Sequence, residues 1–170
     1  MKTALYPGTF DPITMGHLDL IKRGLHIFEH IIIAVAINPK KKPLFCLKKR
    51  LELIKEATKI FPKECITIEA LTGLVVNYAS QNNSVAIIRG LRAVSDFEFE
   101  LQMALMNRRL NHNIETVFMM PSEEYSYLTS TIIKEVAYFG GSIKGLVPEV
   151  VEKELIELFK KEINKNNISI

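Results

Sequence analysis

The 170-residue chain holds only two cysteines, Cys46 and Cys65. They make no CxxC or zinc-ligand spacing, so neither a disulfide framework nor a structural metal is suggested, and a reducing cytoplasm fits. An excess of one charge is missing too. Against 19 acidic residues stand 22 basic ones, a net +3, too balanced for a general nucleic-acid binder. The longest purely apolar run, Ile31 to Ile37, is far short of the ~20 residues that cross a bilayer. Near the N-terminus Pro7-Gly8 break the apolar stretch before a signal-peptide core forms, so neither secretion nor a membrane partner is expected. There is no G-x-x-x-x-G-K-[ST] loop, which disfavours a P-loop ATPase. No nucleophile is paired with a base, so covalent catalysis lacks support. Repeats, low-complexity tracts and interdomain linkers are also missing.

What is present is apolar material in the right amount: 48% of the residues are hydrophobic, which suits one domain with a sizeable core. Ile31 to Ile37 is short, continuous and β-branched, as expected of a parallel strand covered on both faces. Further strands are expected at Thr3 to Tyr6, Cys65 to Leu71, Val85 to Ile88 and Thr116 to Met120. Helical spacing runs from Thr14 to about Phe28, over Leu47 to Ile60, after Gly73, from Ser95 to about Leu110, and after Thr131. The second of these should turn Leu47, Leu51 and Ile54 inward and Lys48, Lys49, Arg50, Glu52 and Lys55 outward. Ser95-x-x-Glu98 reads as a capping box for a helix with Phe97, Leu101, Ala104 and Leu105 inward. Pro148 suits the first position of a last helix through Phe159, with a polar tail beyond. The expected fold is therefore α/β, single-domain and doubly wound on a five-stranded parallel sheet with a C-terminal helix. Its domain covers residues 1–160, with 161–170 as a tail.

The chemistry gathers at Leu5 to His17, LYPGTFDPITMGH. A strand ends at the Pro7-Gly8 turn, and Thr14 is placed to cap the next helix. Gly16 and His17 then sit in that helix's first turn, where free N–H groups and the positive dipole end favour anions. As a bare pattern, a helix cap with a surface histidine is the better reading. Three more stretches belong at the same sheet edge. Asn38-Pro-Lys-Lys-Lys-Pro43 is either a solvated loop or a phosphate contact, with Lys41 the candidate. Arg89-Gly90-Leu91-Arg92 presents two arginines that either pair with Asp96 or Glu98 or take phosphate bidentately, and phosphate is favoured. Thr129-Ser130-Thr131 places hydroxyls at a helix start.

The string Tyr6-Pro-Gly-Thr-Phe-Asp-Pro-Ile-Thr-Met-Gly-His17 strongly resembles the first motif of the HxGH nucleotidyltransferases, with Thr14 for the first histidine. This T-x-G-H form is similar to that of the bacterial phosphopantetheine adenylyltransferase family. Arg89 to Arg92 and Tyr125-Ser-Tyr-Leu-Thr-Ser-Thr131 resemble its later motifs, and the likeness spans residues 3–160 in order and spacing. It implies a Rossmann-like nucleotidyltransferase fold and transfer of an adenylyl group from ATP to 4′-phosphopantetheine, giving dephospho-coenzyme A and pyrophosphate, with Mg²⁺ offsetting triphosphate charge. It also implies a homohexamer and inhibition by coenzyme A. By the same resemblance His17 and Lys41 stabilise the transferring phosphate, and Thr9, Lys41, Val75 and Arg89 bind the acceptor. ATP falls to Thr9, Phe10, His17, Gly90, Leu91, Arg92, Glu100, Tyr125, Ser126, Tyr127, Leu128, Thr129, Ser130 and Thr131. Two positions depart from the family pattern: Val75 stands where Leu or Met is usual, and Thr129 where Ser is usual. The residues alone leave open a transferase acting on another phosphorylated acceptor, or a nucleotide-binding module without turnover.

Overall fold

The computed structural model describes residues 2–37, 42–92 and 94–166, at 94, 95 and 162–166 by backbone alone. Strands β1 (Thr3–Gly8), β2 (His30–Ala36), β3 (Ile66–Leu71), β4 (Ser84–Gly90) and β5 (Glu115–Met119) form one sheet in the order β3-β2-β1-β4-β5. All four pairings are parallel. The helices are α1 (Met15–Gly24), α2 (Leu47–Ala57), α3 (Val75–Gln81), α4 (Val94–Leu110), α5 (Ser130–Tyr138) and α6 (Glu149–Asn166).

Both faces of the sheet's centre are covered, which is why β2 reads as a nearly unbroken apolar run. Successive side chains of a strand point to opposite faces. Thus Ala4, Ile31, Ile33 and Ile88 join Ile21 of α1, Ile54 of α2, Ile133 of α5 and Leu155 of α6 in the larger cluster. Their neighbours Leu5, Ile32 and Ile87 pack with Val76 and Ala79 of α3 on the other side. The chain winds from β1 outward to β3, then returns through α3 to lay β4 beside β1. That reversal opens a crevice beyond the carboxyl ends of β1 and β4, the usual ligand position in an open α/β sheet.

Several boundaries and faces differ from the sequence-based expectations. Helix α1 ends at Gly24 rather than near Phe28: Phe28 N–H closes a turn onto the Gly24 carbonyl at 2.8 Å. A Cβ on Gly24 would lie 2.8 Å from the Ile31 Cδ1, so the glycine lets the helix end sit against β2. Arg50 is not outward but 3% exposed, because it shares the α2 stripe with Leu53, Ile54 and Ala57 and finds carbonyl acceptors there. Helix α4 begins at Val94, so Ser95 is inside its first turn instead of capping it. Its buried positions are Glu100 and Asn107, whereas Phe97, Leu101 and Leu105 are exposed. Apolar residues surround α4 on all sides, so spacing names no inner face, and the pairing of Glu100 with Arg89 sets its rotation. Helix α6 continues past Phe159 to Asn166. Finally, the strands that precede Lys41 and Arg89 are expected from the sequence to be neighbours, whereas β1 lies between β2 and β4.

Ile87 is fully buried in the middle of β4. Ile87→Ala should cost about 2–5 kcal/mol of stability, read as a lower urea midpoint at unchanged m-value.

Candidate active site

A cleft of about 580 Å³ occupies the crevice. Its floor is the end of β1 and the turn after it, where Gly8, Thr9 and Phe10 line the wall. Gly8 has a steric reason: a Cβ there would lie 2.9 Å from the Phe10 ring, which folds back over the strand end. Phe10 itself has φ of 47°, in the left-handed region that side-chain-bearing residues rarely adopt. Burial of its ring, 2% exposed, over-determines that conformation. Asp11 secures the turn from behind, accepting from the N–H groups of Leu44 and Phe45 at 2.8 and 2.9 Å and from Lys134 Nζ at 2.8 Å.

His17 stands at the start of α1, and Thr14 and His17 cap each other. The Thr14 hydroxyl accepts the His17 N–H, and the Thr14 backbone N–H donates to His17 Nδ1 at 3.0 Å. A backbone N–H only donates, so Nδ1 is the bare nitrogen and the ring proton is on Nε2. The Thr14 Oγ1 lies 2.9 Å from the same Nδ1. Edge-on packing by Phe10, with centroids 5.0 Å apart, and the Tyr6 ring at 6.4 Å strip water from the imidazole. Burial, helped by the Arg92 charge, lowers its pKa to about 4. The ring is therefore a neutral donor at physiological pH, with Nε2–H left for a ligand.

The two arginines have different partners. Arg89 donates through Nε and Nη2 to both Glu100 oxygens at 2.7 and 2.5 Å, and through Nη1 to the Pro7 carbonyl at 3.1 Å. Burial disfavours its charge, but the hydrogen bonds and charge of Glu100 outweigh that and raise its pKa. Arg92 meets Asp96 at 3.1 and 3.4 Å on a more exposed rim, the ion pair that was the alternative to phosphate. Both pairs border the cleft.

Helix α5 closes the far wall. Thr129 Oγ1 caps it by accepting the Ile132 N–H at 3.0 Å, a use that leaves the Thr129 O–H free to donate. Ser130 instead donates its hydroxyl proton to the Pro12 carbonyl at 2.8 Å. Two helix N-termini, α1 and α5, thus face one cavity. Val75, Gly90, Tyr125 and Leu128 also line it, while Leu91, Ser126, Tyr127 and Thr131 lie off its wall. Lys41 lies outside the described residues. Asp11 and Arg50 were missed as site elements: nothing local marks Asp11, whose partners are over 30 residues away. Arg50 had a signal, its place on the apolar stripe of α2.

Among the described residues no three His, Cys, Asp or Glu side chains gather as a metal site. The cleft acids Asp96 and Glu100 are each taken by an arginine. A protein-built cage for Mg²⁺ does not fit this donor set.

Residues 5–136 match the cytidylyltransferase-like family model. The chain is 57% identical over 161 residues to the phosphopantetheine adenylyltransferase of Thermodesulfovibrio yellowstonii, covering 94% of this chain and 99% of that one. It is 51% identical to the enzyme of the same name from Caldanaerobacter subterraneus, over 95% and 99%. In fold it resembles a protein described as a nicotinate-nucleotide adenylyltransferase from Vibrio parahaemolyticus, with TM-score 0.67, 16% identity and 92% of each chain covered. A bifunctional NMN adenylyltransferase/ADP-ribose pyrophosphatase from Francisella tularensis gives the same score at 17% identity, over 98% of this chain and 53% of that one.

The depressed His17 pKa has a sign that can be tested. Its folded value of about 4 lies below the ordinary 6.5, so the stability tied to a neutral ring is whole above 6.5. It shrinks as pH falls towards 4, because the unfolded chain takes a proton that the folded chain refuses. Urea midpoints of the wild type should fall faster than those of His17→Gln across that window. Parallel curves would contradict the assignment.

Proposed function

The chain belongs to the phosphopantetheine adenylyltransferases of the cytidylyltransferase-like family, and we propose that its cleft moves the adenylyl group of ATP onto the phosphate of 4′-phosphopantetheine. The products are 3′-dephospho-coenzyme A and pyrophosphate. An acceptor phosphate oxygen bonds to the α-phosphorus of ATP, and the bond from that phosphorus to the bridging oxygen breaks, its electron pair leaving with pyrophosphate. The nucleophile is already ionised at neutral pH, so a general base is not needed. Positioning and stabilisation of charge on the crowded α-phosphate supply the rate.

The observation that carries this reading is the neutral, tautomer-fixed His17 at the start of α1, in a cleft that α5 also opens onto. Its Nε2–H would meet a non-bridging α-phosphate oxygen, and neutrality does not prevent a preorganised donor from acting in a dry site. Thr9, Phe10, Gly90, Arg92, Glu100 and, from the Tyr125 to Thr131 segment, the cleft-lining Tyr125, Leu128, Thr129 and Ser130 would hold ATP. Thr9, Val75 and Arg89 would hold the acceptor. Mg²⁺ would enter on the triphosphate of ATP, consistent with a cation that keeps waters and phosphate oxygens as ligands. Coenzyme A, sharing the acceptor's pantetheine arm, would compete for the same cleft. The free cysteines Cys46 and Cys65 support a cytoplasmic setting. The exposed Phe99, Leu101, Met103, Leu105, Met106 and Leu110 of α4 support assembly into a homohexamer.

Pyrophosphate release with ATP and a panel of phosphorylated acceptors tests the reaction. 4′-Phosphopantetheine should turn over, and unphosphorylated pantetheine should not; no turnover by folded protein refutes the reading. His17→Ala should lower kcat by about 10²–10³ with a smaller change in ATP affinity. A change in KM alone would make His17 a ground-state contact.

A further inference from the structure

Arg50 is a buried charged group that the reaction above leaves without a task. It sits in the first half of α2, 3% exposed, behind the cleft. Its Nη1 donates to the Thr9 carbonyl at 2.7 Å and to the Ala36 carbonyl at 3.3 Å, and its buried Nε has no partner. No carboxylate among the described residues pairs with it, unlike Arg89 and Arg92. A buried guanidinium held only by carbonyls is poorly compensated, and that is unusual enough to need a reason.

The position of the two carbonyls supplies one. Thr9 and Ala36 follow and end the adjacent strands β1 and β2, and both line the cleft from the other side. The Thr9–Phe10 peptide is trans. Its planar geometry turns the Phe10 N–H opposite to the carbonyl that Arg50 holds. That N–H has no partner among the described residues. It belongs to the residue whose ring packs 5.0 Å from His17.

We propose that Arg50 is a positioning residue for phosphate: by holding the Thr9 carbonyl it turns the Phe10 N–H towards the cleft as a second donor beside His17 Nε2–H. The inference rests on the nucleotidyl-transfer reading and names a group that acts through the backbone without touching substrate. Arg50 also polarises the peptide it binds, since hydrogen bonds in series strengthen one another. Its uncompensated charge, behind a wall of one peptide's thickness, favours an anion in front.

Thr-Phe occurs once in the chain. Carbon-13 threonine carbonyl and nitrogen-15 phenylalanine labelling therefore isolates the signal of this one peptide. Inorganic pyrophosphate should move the Phe10 amide proton downfield in the wild type. The movement should be smaller in Arg50→Lys, which keeps the charge but loses the fork, and smallest in Arg50→Met. In parallel, kcat should fall by about 10- to 100-fold in Arg50→Met, less than for losing a donor outright, with acceptor KM little changed and partial recovery in Arg50→Lys. A Phe10 amide unmoved by saturating pyrophosphate in the wild type overturns the proposal, and this arm needs no variant to fold. So does a folded Arg50→Lys or Arg50→Met with wild-type shifts and kcat. Absence of turnover in the wild type would instead strike the functional reading, leaving the pyrophosphate titration to judge Arg50.

Discussion

The reciprocal contact between Thr14 and His17 is the interaction on which the site depends. As a helix cap it is worth only about 1 kcal/mol, a small part of what holds the domain together. Its chemical consequence is larger. The donation from Thr14 N–H to Nδ1 decides which ring nitrogen carries the proton, and the Phe10 and Tyr6 rings keep the imidazole from taking a second one. A local cap thereby produces a neutral donor with a fixed direction.

The sheet places that donor where charge can be handled. Reversal of strand order puts the ends of β1 and β4 on either side of one crevice, and the first turns of α1 and α5 open onto it. The cations around it are not equivalent. Arg89 is largely neutralised by a bidentate carboxylate, Arg92 is loosely paired at the rim, and Arg50 is buried with carbonyls alone. Before any ligand binds, the cleft is thus less positive than its arginine count suggests. A triphosphate would meet directed N–H groups first and free charge second. That ordering suits a reaction limited by the geometry of a crowded phosphorus rather than by attraction of substrate.

Much of this was legible in the residues because it is local. The β-branched run from Ile31 and the Thr14 cap each depend on neighbours within a few positions, and each was read where it stands. Pro7 and Gly8, expected to stop the first strand after Tyr6, instead remain in β1 and pair with Ala34 and Val35 of β2. What escaped depends on distant partners. Asp11 binds Leu44, Phe45 and Lys134, and no pattern around Asp11 announces them. Arg50 was read outward because charge usually is, although its spacing put it on the buried stripe. The inner face of α4 was misread because its apolar residues surround the helix and a salt bridge to β4 decides the rotation. The neighbourhood of β2 and β4 failed for a topological reason: the chain lays β4 on the free edge of β1, opposite to β2.

The chemistry of the cleft turns on His17 acting as a neutral imidazole with its proton on Nε2. Nitrogen-15 spectra of the labelled His17 ring, recorded from neutral pH down to about pH 5, test it most directly. One bare, pyridine-like Nδ1 and one protonated, pyrrole-like Nε2 are expected throughout. A proton on Nδ1, or an imidazolium already formed near the ordinary histidine pKa, would contradict it.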